Sequence, residues 1–131
     1  MTLSHKPSLI LLSEIFAVCR MQKDEEIPDW IHSSELLAIV RTQDELSIVC
    51  QQDIFSEDVI CEKGWRGLMV EGPLDFNLVG VLASILYPLA EAEISVFTIS
   101  TYNTDYVLVK EVQLEKALES LTLAGLTVKI K

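Results

Sequence analysis

The strongest constraint on the fold lies between Gly67 and Ile130, where the spacing of apolar residues changes in a fixed order. Gly67-Leu68-Met69-Val70-Glu71 reads as a strand. Gly72-Pro73 ends it, because proline has no ladder donor and glycine accepts unusual backbone angles. Leu78, Leu82, Ile85, Leu86 and Leu89 then recur at helical spacing. Asp75 takes the N-cap position, with Leu74 and Val79 as a staple pair, and Pro88 should bend or end the helix within a turn. Ile94–Ile99 is β-branched and alternating, Tyr102-Asn103-Thr104 supplies turn residues, and Tyr106–Val109 returns as a second strand. Leu114, Ala117, Leu118 and Leu121 mark another amphipathic helix, Gly125 sits at its C-cap, and Leu126–Ile130 is a last strand. This βαββαβ order predicts an α+β, ferredoxin-like sheet covered by two helices on one face.

The first half is less regular. Strands are expected at Leu9–Leu12, Phe16–Met21, Leu36–Thr42 and Leu46–Gln51, with a short helix over Asp53–Ile60 and a solvated turn at Lys23–Glu26. Sliding the chain along itself by 60 residues lays Asp44–Val49 over Thr104–Val109 and Leu36–Arg41 over Val96–Thr101. Two copies of one hairpin account for this, the first without its long helix. The expected division is residues 1–63 and 64–131.

Half of the 131 residues are hydrophobic, which excludes a disordered acidic tail and leaves apolar surface for a second subunit to cover. The net charge is −10 and the ten Lys and Arg are scattered, which argues against nucleic acid or an anionic membrane as partner. No apolar run approaches the roughly 18 residues that span a bilayer. Ser13-Glu14 cuts the Leu9–Leu12 run short, so a strand is expected there rather than a signal peptide. Cys19, Cys50 and Cys61, odd in number and widely spaced, read as reduced, core-filling thiols of a cytoplasmic protein rather than a disulfide frame or a metal site.

The chain lacks a nucleophile elbow, a phosphate loop and a zinc-protease motif, and its two histidines, His5 and His32, offer little for catalysis. An enzyme and a cofactor are not expected. Two stretches suit ligand binding instead. In Glu71–Phe76 a strand hands over to a helix, whose free N–H groups attract a carboxylate while Gly72 lets a ligand approach the backbone. In Ser100–Asp105 three hydroxyls, an amide and an acid meet at a hairpin, and Asp105 suits an ammonium or guanidinium group. Ordinary capping and turn chemistry explain the same residues without a ligand.

At these residues the chain resembles tandem ACT-domain proteins. Leu68–Val70, Gly72–Phe76, Gly80, Pro88-Leu89-Ala90, Ile94–Phe97, Ile99–Tyr102 and Thr104–Val109 carry the resemblance, and Glu45–Cys50 is similar to the family's first-half signature. The group it looks most like comprises small stand-alone ACT proteins related to aspartate kinase regulatory domains and to the CASTOR arginine sensors. The resemblance implies two ACT-like domains, the first degenerate, with homodimers and amino-acid sensing at an interface between units. Carried over by position, Gly72, Leu74, Asp75 and Phe76 would hold the ligand's backbone groups. Thr101, Asn103, Thr104 and Asp105 would line the other wall, and Arg or Lys would suit Asp105. The expected function is a non-catalytic, amino-acid-binding regulatory protein. An adaptor module with a vestigial pocket remains the alternative. One departure is Glu93, where relatives carry glycine after the first long helix.

Overall fold

The computed structural model describes residues 6–29, 31, 34–54, 59–72 and 79–131. In chain order these form β1 (Ser8–Met21), β2 (Ala38–Arg41), β3 (Leu46–Gln51), β4 (Ile60–Val70), α1 (Val81–Glu91), β5 (Val96–Ser100), β6 (Asp105–Lys110), α2 (Leu114–Leu123) and β7 (Thr127–Ile130). From β4 onward the order is βαββαβ, as the apolar periodicity predicts, and the fold is α+β and ferredoxin-like.

The chain divides into two compact units: Met1–Ser13 with Arg66–Lys131, and Glu14–Trp65. These do not coincide with a division at 63/64, because the first half of β1 belongs with the second half of the chain. Within the larger unit the strand order is β7-β1-β4-β6-β5. β1 lies parallel to β7, pairing Leu9 with Val128 and Leu11 with Ile130. The Glu71 N–H donates to the Ser8 carbonyl at 2.8 Å, holding the end of β4 to the start of β1. A plain ferredoxin-like sheet would set the last strand directly beside the strand that opens the motif. Here β1 occupies that place.

The alternation of the strands and the 3.6-residue period of the helices converge on one core. Leu9, Leu11, Leu68, Val70, Val107 and Val109 point from the sheet to meet Ile85 and Leu89 of α1 and Ala117 and Leu121 of α2. Leu9, Leu68, Ile85, Leu89 and Leu121 are fully buried, and each such side chain contributes roughly 1.5–3 kcal/mol.

α1 begins later than its sequence suggests. A helix starting at Phe76 would have to run through Val79 and Gly80, but neither is helical, and Gly80 has φ 82°, outside right-handed helix space. Gly80 is therefore the N-cap, and the expected cap Asp75 lies outside the described residues. Pro88 is followed by less than one further turn, and the helix ends at Glu91. Both helices close with the same two hydrogen bonds. At α1 the Ile94 N–H donates to Leu89 O and Glu93 N–H to Ala90 O, both 3.0 Å; at α2 the Leu126 N–H donates to Leu121 O and Gly125 N–H to Thr122 O, both 3.0 Å. The donor of the second bond is left-handed in each case, Gly125 at φ 91° and Glu93 at φ 60°.

The smaller unit holds β2, β3 and the adjoining halves of β1 and β4. β3 lies between β2 and β1, with Cys19 opposite Ile48 and Ala17 opposite Cys50. Its core gathers Ala17, Cys19, Ile31, Leu46, Ile48 and Cys50. The reading of three reduced thiols is corrected here: Cys19 and Cys61 are disulfide-bonded, and only Cys50 is free. Sequence spacing hid the pair because β1 and β4 bring together residues 42 positions apart. The short helix expected over Asp53–Ile60 falls partly on residues 55–58, outside the described ones, and Ile60 already belongs to β4.

The β2–β3 and β5–β6 hairpins share a turn built on threonine. Thr42 N–H donates to Glu45 O at 2.9 Å, and Thr101 N–H donates to Thr104 O at 2.8 Å. Thr42 Oγ1 also accepts from the Glu45 N–H at 3.1 Å, as Thr101 Oγ1 does from the Thr104 N–H at 3.2 Å. Arg41 faces Leu46 in one hairpin and Ser100 faces Asp105 in the other, so the structural offset is 59 residues rather than 60.

Candidate functional site

The hairpin tip and the exit of β4 meet in the larger unit. Thr104 Oγ1 donates a hydrogen bond to the carbonyl of Val70, the last residue of β4, two positions before Gly72. Gly72 is an exposed bend residue. Thr101 is occupied within the turn: its Oγ1 donates to Thr104 O at 3.1 Å and accepts from Thr104 N–H. Asn103 is exposed. Leu74, Asp75 and Phe76 lie outside the described residues. Thus Thr104 is tied to β4 two residues before Gly72, Asp105 is held by Ser100, and Thr101 has a turn-forming role.

Asp105 is half-buried at the start of β6, and its Oδ1 accepts from Ser100 Oγ at 2.5 Å. That bond links the facing residues of the hairpin and orients the carboxylate. No cation pairs with Asp105 among the described residues. A carboxylate fixed by one hydroxyl retains acceptor capacity for a cationic group.

Next to Gly72, Glu71 forms an ion pair with Lys129 of β7, 3.0 Å apart. Both side chains are about half exposed, so the pair adds little stability. Sequence reasoning missed it because only the β7–β1 pairing brings Lys129 to this end of the sheet. It also missed the Val70 carbonyl, for which no side-chain signal exists. The displaced start of α1 changes one element of the expected site, since the free N–H groups of that helix follow Gly80 and not Asp75.

Among the described residues no cluster of three or more His, Cys, Asp or Glu could hold a metal ion. No described helix is long and apolar enough to cross a membrane. A cavity of about 120 Å³ lies in the smaller unit, lined by Arg20, Met21, Gln22, Glu25, Val59 and Ile60, and it includes none of the sequence-predicted residues.

Comparison with known proteins accords with this architecture. Residues 60–122 match the family model of the ACT domain, and residues 14–58 match a separate model described as an N-terminal domain. The chain is an ACT-domain protein. A crystallised protein from Agobacterium tumefaciens is 33% identical, with a TM-score of 0.92 over 98% of this chain and 96% of that one. The ligand-free regulatory subunit of aspartate kinase from Thermus thermophilus shares the fold at 10% identity, with a TM-score of 0.59 over 85% and 93% of the two chains. The human cytosolic arginine sensor for mTORC1 subunit 1 is 43% identical over 58 residues, 44% of this chain but 18% of the sensor. The ACT-domain chain therefore matches less than a fifth of that relative's length.

Proposed function

We propose that this ACT-domain protein is a non-catalytic regulator that binds a small amino acid between the exit of β4 and the β5–β6 hairpin. The observation that supports this reading is the Thr104–Val70 hydrogen bond, which ties the turn preceding Asp105 to β4 two residues before the Gly72 bend, while no cation pairs with Asp105 among the described residues. Gly72 is the proposed contact for the ligand's carboxylate and backbone, with Leu74, Asp75 and Phe76 as further candidates from the sequence. Thr104 and Asp105 form the opposite wall with Asn103, and Thr101 holds the turn that presents them. Arg or Lys is the favoured ligand, since the side chain or the amine would complete the partner set of Asp105. The similarity to an arginine sensor over 58 residues supports this class of ligand. The protein works in the cytoplasm as a homodimer, its two halves acting as tandem ACT-like domains.

Calorimetry against all twenty amino acids at millimolar concentration tests the reading. Heat is expected for Arg or Lys, and silence for all twenty would abandon sensing in favour of an adaptor role. Asp105→Ala should weaken a cationic ligand by roughly 1.5–3 kcal/mol while leaving the fold intact. Light scattering should report twice the 14.7 kDa protomer mass, and a strict monomer would remove the dimer.

A further inference from the structure

The smaller unit carries a feature that amino-acid binding does not use. All three cysteines gather at its core: Cys19 and Cys50 are among its buried members, and Cys61 packs against them. The register explains why. Ala17 faces Cys50 and Cys19 faces Ile48, so Cys19 and Cys50 occupy diagonal positions on one face of adjacent strands. Across the other edge of β1, Cys19 and Cys61 have Cα atoms 4.1 Å apart, the close spacing of directly opposite strand residues outside a hydrogen-bonded pair.

We propose that Cys19 and Cys61 form a reversible thiol–disulfide site, opened by a dithiol and closed by a small-molecule disulfide, whose state sets the stability of the Glu14–Trp65 unit. Accessibility fixes the order of events. Cys19 is 1% exposed, whereas Cys61 is only partly buried, so an incoming thiolate meets Cys61 first. Its sulfur bonds to Cys61 Sγ as the Cys19–Cys61 bond breaks, and Cys19 leaves as a thiolate and takes up a proton. The second thiolate of the reductant then attacks its own sulfur in the mixed disulfide and releases Cys61, which is protonated in turn. Two electrons and two protons pass to the protein, and the reductant departs as a disulfide. Closure reverses each step.

Cys50 stays out of this exchange. It is fully buried, and burial pushes its thiol up to about 11, so at neutral pH it carries a proton and is no nucleophile. The bond also has leverage. Its 42-residue separation encloses β2 and β3 and nearly the whole of the smaller unit, and closing a loop of that length strongly restricts the unfolded chain.

The full chain is equilibrated with excess glutathione disulfide or with dithiothreitol, acid-quenched, unfolded with iodoacetamide and weighed. One alkylation is expected in the first case and three in the second, and returning reduced protein to glutathione disulfide should restore one. Proteolysis of the oxidised form should yield a peptide linking Cys19 to Cys61. Reduction should lower the thermal midpoint by about 10 °C. Cys61→Ser should melt at the lower midpoint and ignore dithiothreitol. Should that variant fail to fold, Cys50→Ser serves instead, keeping the shift and counting zero alkylations oxidised and two reduced. Three alkylations in glutathione disulfide, a link through Cys50, a glutathione adduct at Cys61 in place of the link, or a midpoint indifferent to reductant would each overturn the proposal.

Discussion

The larger unit buries twelve residues in one cluster, with Ile85, Leu89, Ala117 and Leu121 of two helices set against Leu9, Leu68, Val107 and their strand neighbours. The smaller unit gathers six buried residues in its own cluster, two of them cysteines, and no described α-helix covers them. The share of surface buried on folding rises with chain length, so the smaller unit has less core to hold it than the larger one. A covalent link between β1 and β4 offsets that deficit. One sheet-forming chain thus uses two means of holding its strands, chosen by how much apolar surface each part can hide.

Several substitutions would break or sharpen this contrast. Cys19→Ala should cost about 4 kcal/mol by opening the 42-residue loop. Amide exchange should show the loss within residues 14–65, while α1 and α2 keep their protection. Leu89→Ala, in the opposite sense, should cost roughly 3 kcal/mol through the cavity left beneath α1, with the loss concentrated in the larger unit and readable in urea titration. If both variants lowered protection evenly throughout the chain, the two parts would be a single cooperative body and the contrast would fall.

A smaller effect separates the two helix exits. They share a hydrogen-bond pattern, but Glu93 holds with φ 60° what Gly125 holds with φ 91°. A side chain in that region costs on the order of 1 kcal/mol, so Glu93→Gly should raise stability by about 0.5–1 kcal/mol in chemical denaturation. Gly125→Ala should lose at least as much, because the new Cβ would also meet Lys6 Nζ, which donates to Ala124 O at 3.0 Å. The smallest readout is kinetic. At pH 8 only about one Cys50 in a thousand is ionised, so iodoacetamide should leave it unmodified in the folded protein and label it on unfolding.

How much of this was legible in the sequence depended on the range of each interaction. The βαββαβ order followed from local periodicity, since Leu82, Ile85 and Leu89 or Val107 and Val109 show their buried face within a single element. The Glu93 departure was equally local. The start of α1 was not legible, because Leu78 continues the helical spacing and only the observed φ of Gly80 interrupts it. The N-terminal part of β4 was missed because Ile60, Glu62 and Lys63 are exposed and show no inward alternation. The Cys19–Cys61 bond and the placement of β1 beside β7 depend on pairing between distant segments, which no local pattern records. The candidate site shows the same division. Thr104 and Asp105 were recognisable as turn chemistry carrying an acid, whereas the tie from Thr104 to Val70 required the assembled sheet.

The parallel seam between β1 and β7 has a consequence for how the molecule is made. During synthesis Leu9 and Leu11 leave the ribosome long before Val128 and Ile130 exist to flank them. A seam joining opposite ends of the described chain is slow to close, because so much polypeptide must be ordered before its contacts form. Cutting the molecule at residue 63 would therefore leave the later fragment without a central strand, with its last strand deprived of the neighbour it needs.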